Sequence, residues 1–126
     1  MPVLQITALP QGESVDVPAV LDRLCSAVAE AMACPPESVW ATWTTVNAGG
    51  YVIGGRGAPT VQPRNTHDPI ARLSAFVGRD DATVERALMA IADTLTNALG
   101  LERGTAFVVY EELQPGRVYT GGQVRR

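Results

Sequence analysis

The residue with the least ordinary chemical potential is a proline. Pro2 follows Met1, and removal of Met1 would leave Pro2 with a free secondary amine. An α-amino group titrates near pH ~8 in water. Burial and a neighbouring cation both disfavour its charged form and lower that value. A neutral amine so placed can take a proton from a carbon beside a carbonyl and return it elsewhere. All ten basic residues are arginine, so no lysine competes for the role. Two other readings stay open. Proline is tolerated at the start of an edge strand, so Pro2 could serve structure alone. With Met1 retained, its nitrogen is an amide without basicity.

Arg79 is the first candidate for holding a substrate. A guanidinium grips a carboxylate through two parallel hydrogen bonds and stabilises charge developing on an enolate. It stands just before a predicted helix, whose free N–H groups favour anions; an exposed pairing with Asp80 or Asp81 is the plainer alternative. Arg72 falls mid-strand on the face shared by Ile70, Ser74 and Phe76, and could line a pocket or a channel between subunits. Tyr51 and Tyr119 lie in glycine-bounded ribbons and could form pocket walls or donate a proton. Trp40, Trp43, Phe107 and Tyr110 are further aromatic walls or core residues. His67, the single histidine, reads as a solvated turn residue beside Asp68 and Pro69. Gly54-Gly55-Arg56-Gly57 lacks the strand and helix of a phosphate loop.

The composition excludes several function classes. The net charge is −3 with no block of like charges, so a nucleic-acid partner is not expected. Cys25 falls on the apolar face of a predicted helix and Cys34 near its end, a pattern of free thiols and not of a disulfide framework or metal site. No cofactor is implied. The amino-terminal stretch lacks a basic and an apolar signal region, and no apolar run reaches the ~18 residues of a membrane span. A cytoplasmic protein with no membrane partner is the expectation.

These residues must be positioned by a small set of elements. Val3 to Leu9 reads as a strand ending in Pro10, Gln11 and Gly12. Val17, Leu21, Leu24, Val28 and Met32 follow a helical period, with Ser14 or Asp16 as cap and Pro35-Pro36 as stop. Val39 to Val46 is a second strand, and Asn47 to Gly57 a turn and short ribbon. After a connector over 60–67 the pattern restarts. Ile70 to Val77 is a strand. Val84, Leu88, Ile91, Leu95 and Leu99 repeat the helical spacing, with Asp80 or Asp81 as cap and Gly100 as stop. Thr105 to Leu113 is a strand, and Gly116 to Gly122 a second ribbon.

The two halves register without a gap at an offset of 67: Pro2 meets Pro69, Trp40 and Trp43 meet Phe107 and Tyr110, and Gly49, Gly54 and Gly55 meet Gly116, Gly121 and Gly122. We therefore expect a single domain over 1–126 built from pseudo-repeats 1–59 and 68–126. Each repeat is a β-α-β unit with a right-handed crossover. Together they make an α+β fold: a four-stranded mixed sheet with both helices on one face. The other face keeps apolar residues that further subunits would cover.

On these residues the chain resembles the tautomerase superfamily, whose 4-oxalocrotonate tautomerase members are short β-α-β chains with an amino-terminal proline. The resemblance rests on Pro2, on Gly78-Arg79-Asp80-Asp81 placing an arginine ten residues after Pro69, and on the ribbons Gly49–Gly55 and Gly116–Gly122. It spans nearly the whole chain. It implies a homotrimer of fused units with Pro2 as general base and Arg79 as substrate anchor. The implied activity is an isomerase (tautomerase) acting on a small 2-oxo or enol acid. The chain departs from the family at specific places. Trp40 and Phe107 stand where a second arginine would clamp a dicarboxylate. Phe76 stands near the first substrate arginine of the cis-3-chloroacrylic acid dehalogenases, and Thr120 replaces their water-activating glutamate. A hydratase or hydrolytic dehalogenase is therefore the second reading. A non-catalytic trimeric binding module is the third, should Met1 be retained.

Overall fold

A computed structural model describes residues 1–126. The elements run β1 (Val3–Ala8), α1 (Val17–Met32), β2 (Trp40–Thr45), a hairpin of β3 (Val52–Ile53) and β4 (Arg56–Gly57), β5 (Ile70–Phe76), α2 (Asp81–Leu99), β6 (Phe107–Leu113), and a hairpin of β7 (Val118–Thr120) and β8 (Gln123–Arg125). The main sheet has the order β2-β1-β5-β6. β1 pairs in parallel with β2, and β5 with β6; the central pair β1–β5 is antiparallel. This is the mixed four-stranded sheet expected from two β-α-β units.

Alternation along the two central strands decides which face the helices cover. Leu4, Ile6 and Ala8 of β1 and Ala71, Leu73 and Ala75 of β5 are buried, facing Val20, Leu24 and Val28 of α1 and Ala87, Ile91 and Leu95 of α2. Every one of these residues has its counterpart 67 positions on. The same offset recurs in the backbone. Trp40 N–H donates to the Pro2 carbonyl at 2.9 Å and Phe107 N–H to the Pro69 carbonyl at 3.0 Å; Cys34 N–H bonds to Ala29 and Leu101 N–H to Thr96. The antiparallel register sets Gln5 opposite Arg72, again 67 apart, so a local two-fold axis passes through that pair. Pro2 and Pro69 therefore mark opposite, pseudo-equivalent ends of one sheet.

The helices differ from the expected pattern in detail. α1 buries Val20, Leu24, Val28 and Met32, a row spaced by four, and leaves Val17 and Leu21 half-buried beside it. Asp16, not Ser14, caps α1 by accepting from Ala19 N–H at 3.2 Å, and Asp80 caps α2 by accepting from Thr83 N–H at 2.9 Å. α1 stops before the proline pair, at Ala33, which takes the left-handed conformation (φ 54°) that Gly100 (φ 67°) takes after α2. No helix is long and apolar enough to cross a membrane.

Candidate active site

Pro2 is fully buried at the start of β1, beside the first residue of β2 through the Trp40 hydrogen bond. Val3 lies opposite Ser74, so the antiparallel register carries Pro2 alongside the last residues of β5. Arg79 sits in the loop that follows, its Nη1 donating to the Phe76 carbonyl at 3.4 Å. The start of β1 and the arginine loop thus meet at one end of the sheet. Arg79 pairs with neither Asp80 nor Asp81; the sole side-chain ion pair joins Arg72 and Glu111. The Asp80 carboxylate is already occupied by the α2 cap.

Two further groups belong to this end. The hydroxyl of Tyr110 on β6 is buried and faces the Arg79 guanidinium without a well-formed hydrogen bond. Burial pushes this phenol above the usual tyrosine range, Arg79 pulls it back, and Glu112 adds to the rise. Thr120 on β7 approaches the amino terminus, its hydroxyl 3.9 Å from the Met1 sulfur. A cavity of about 320 Å³ opens beside this end, lined by Phe76, Val77, Pro115, Arg125 and Arg126.

The remaining sequence candidates are distributed elsewhere. Trp40 is half exposed, on the uncovered sheet face next to Val3 and so at the Pro2 end. Arg72 lies mid-sheet on the same uncovered face, its Nη1 3.9 Å from Glu111 Oε2, while Ser74 donates to Glu111 Oε1 at 3.3 Å. Phe107, 59% exposed, starts β6 opposite Ile70 and so lies at the Pro69 end. Tyr51 also lies there, its hydroxyl donating to the Asp68 carbonyl at 2.6 Å. Burial, and then the Asp68 charge, raise its pKa. Within one chain, Tyr51 and Phe107 do not join Pro2. Tyr119 is 71% exposed on the carboxy-terminal ribbon.

One expectation is overturned outright. His67 is 3% exposed and not a solvated turn residue. It adopts φ 51°, stacks edge-on to Tyr51 at 5.0 Å, and has a partner at each ring nitrogen, Thr66 Oγ1 and the Arg56 carbonyl, both at 3.2 Å. The first ribbon folds over the linker and draws the imidazole in, an effect of tertiary packing that the local sequence does not carry.

In the sequence Tyr110 stands only as one aromatic among several, and Arg125 and Arg126 are not among the candidates. A signal for the first was available: Tyr110 is a polar tip in a strand row that pairs with Leu73 on the helix-covered face. The signal for the arginines, two cations directly after a glycine-turned ribbon, is weak without the fold.

No protein-family model matches the chain, and no curated protein matches it. Solved structures do. A fused 4-OT wild-type symmetric trimer superposes with a TM-score of 0.83 at 15% identity, over 98% of this chain and 94% of that one. Pt0534 inactivated by 2-oxo-3-pentynoate gives 0.79 at 18% identity, over 98% and 94%. N1, a member of the cis-3-chloroacrylic acid dehalogenase family, gives 0.77 at 17% identity, over 98% and 83%. The chain has the tautomerase-superfamily fold.

Proposed function

We propose that this protein is an isomerase that relocates a proton on a small 2-oxo or enol acid, with the Pro2 amine as general base after loss of Met1. The observation that carries the reading is the meeting of a buried Pro2 with the Arg79 loop at one end of the sheet. Burial and the nearby guanidinium both favour the neutral amine, the form that accepts a proton. The amine takes a proton from the carbon next to the carbonyl, or from the enol hydroxyl. The electron pair delocalises into a dienolate, and the ammonium returns the proton at another atom. Arg79 holds the carboxylate and stabilises the enolate charge. The Tyr110 hydroxyl lies beside the guanidinium without a hydrogen bond to it.

The second reading, water addition, would need Glu112, whose charge reaches Tyr110, as its water activator, because Thr120, whose hydroxyl approaches Met1, is a poor base for water. We also propose a homotrimer. Trp40, Ile70 and Phe107 are exposed on the uncovered sheet face among polar side chains, and the superposed fused 4-OT structures are trimers. Sedimentation showing a stable monomer at micromolar concentration would refute the assembly.

The test of the function is the state of the terminus. Protein beginning at Pro2 should turn over phenylenolpyruvate or 2-hydroxymuconate, followed by ultraviolet absorbance, and Met1-bearing or amino-terminally tagged protein should not. Equal turnover by both forms makes Pro2 structural. No turnover by either form leaves the non-catalytic module as the account.

A further inference from the structure

One large apolar side chain stands out on the helix layer. Met89 of α2 is 52% exposed, while the other strongly exposed apolar residues lie on strands, ribbons, loops or the amino terminus. We infer that the outer face of α2 is a self-association surface. It packs antiparallel against α2 of a second copy, with Met89 at the centre and Arg86 facing the partner's Asp93. This contact is separate from the sheet face assigned above to the trimer, and it does not rest on the proposed chemistry.

Three observations carry it. First, the charges on this face are self-complementary. The helical period gathers Ala82, Arg86, Met89, Asp93 and Asn97 into one exposed row on the solvent side of α2. Arg86 and Asp93 stand at equal steps on either side of the Met89–Ala90 pair. An antiparallel copy registered on that pair therefore sets each arginine opposite the other copy's aspartate. Both pairs form at once, as an isologous contact requires. Second, these charges have no ionic partner within the chain. They are two turns, about 10 Å, apart along the helix axis. The one ion pair of the chain is Arg72–Glu111. Arg86 gives one donor to Thr83 Oγ1 at 3.0 Å, which leaves most of its five N–H groups free.

Third, the exposed side chain has a recess to enter. Ala27 and Ala31 of α1 and Ala90 of α2 are small, and a depression of about 560 Å³ lies between the two helices with Met89 on its wall. In the antiparallel arrangement each Met89 stands opposite the partner's Ala90, at the edge of the partner's depression. An unbranched thioether fills such irregular gaps well. Glu30 lines the same depression and adds a second carboxylate for the incoming guanidinium. The matching face of α1 lacks the pattern, because Asp22 and Ala19 stand 67 positions before Met89 and Arg86. The surface therefore belongs to the second repeat alone. A contact of one helix on one helix falls below the ~1,200 Å² at which stable interfaces begin. The pairing is accordingly weak, and it depends on concentration.

The test is sedimentation of the whole protein from low micromolar to near-millimolar concentration at low ionic strength. The mass should grow beyond that of the basal assembly at the upper end, and added salt should reduce the growth by screening the ion pairs. Arg86→Asp and Asp93→Arg each set like charges face to face and should weaken the association about tenfold or more. Met89→Ser should weaken it without changing any charge. An equimolar mixture of Arg86→Asp and Asp93→Arg protein has opposite charges at both contacts and should associate as the wild type does. The double variant R86D/D93R should also regain the association. All three side chains are exposed, so circular dichroism and the basal mass should not change in any variant. Wild-type mass that stays constant with concentration overturns the inference and leaves the depression to a different partner or to none. Association that survives Arg86→Asp, or a mixture that associates no better than its separate components, overturns it as well.

Discussion

The two ends of the sheet descend through the same pattern of residues and have become different objects. Around Pro69 the end is closed. Tyr51 donates to Asp68, His67 is buried with partners at both ring nitrogens, and the Gln62 amide nitrogen reaches the carbonyls of Pro63 and His67, while the buried Gln62 Oε1 has no partner. Around Pro2 the polar groups lack such partners. Tyr110 has a buried hydroxyl with no hydrogen bond, Arg79 makes one long contact, and Arg125 and Arg126 face a cavity. Pro69 is internal, so its nitrogen is an amide whatever becomes of Met1, and the connector and first ribbon close over it. Buried unpartnered atoms occur at both ends, the Tyr110 hydroxyl at the Pro2 end and Gln62 Oε1 at the Pro69 end, so the cavity and its cations, not an orphan hydroxyl alone, distinguish the Pro2 end.

The largest test of this contrast is Arg79→Ala. Loss of a charged hydrogen bond to a substrate carboxylate typically costs ~1.5–3 kcal/mol, or about tenfold to a hundredfold in kcat/KM. Because Arg79 sits in a loop with one weak backbone contact, the denaturation midpoint should barely move. Unchanged kinetics on an accepted acid would remove Arg79 from the site.

The tyrosines should behave oppositely. Tyr51→Phe deletes a 2.6 Å hydrogen bond and should cost about 1 kcal/mol in urea denaturation. Tyr110→Phe removes a hydroxyl that is already unpartnered and should be neutral or slightly stabilising in the same measurement. A larger stability loss for Tyr110→Phe than for Tyr51→Phe would erase the distinction between a closed and an open end. Both phenols are held above the usual tyrosine range, so ionisation disfavours the fold at either end. Their contribution is full below pH ~10 and fades as pH rises beyond it.

The smallest effect belongs to the α2 cap. Hydrogen bonding from Thr83 holds the Asp80 carboxyl below the usual carboxylate range. A depressed pKa of this kind stabilises the fold above the unfolded value and loses that contribution as pH falls through the folded value. Asp80→Asn keeps a capping oxygen but does not titrate, so its denaturation midpoint should vary less between pH 5 and 3 than that of the parent protein. Equal variation in both would detach the cap from the acid response.

The sheet and both helices were legible because their signals are periodic and repeated. Buried rows such as Leu24, Val28 and Ile91, Leu95 recur at one offset, and β-α-β order with short connections leaves few topologies. The placement of Arg79 before α2 was legible for the same reason. What the sequence concealed depends on contacts far along the chain. His67 is buried because a ribbon folds over it, Ala33 takes a left-handed cap without being glycine, and Arg125 acquires its setting only when the ribbon reaches the end of β5. Tyr51 and Tyr119 looked alike as ribbon tyrosines, yet one is hydrogen-bonded over the linker and the other is exposed, because they are not register equivalents: Tyr51 corresponds to Val118.

The central claim is that Pro2 carries a reactive amine, and a covalent probe tests it most directly. 2-Oxo-3-pentynoate is a conjugated alkynone acid. A neutral secondary amine adds to its triple bond, forming a nitrogen–carbon bond while the amine proton moves to the carbon next to the ketone. Protein beginning at Pro2 should be inactivated with a mass gain equal to one reagent, and peptide mapping should place the adduct on the Pro2 nitrogen, with slower labelling in Arg79→Ala. Met1-bearing protein should carry no adduct at this site. Labelling confined to Cys25 or Cys34, or no labelling of the freed terminus, would contradict the account.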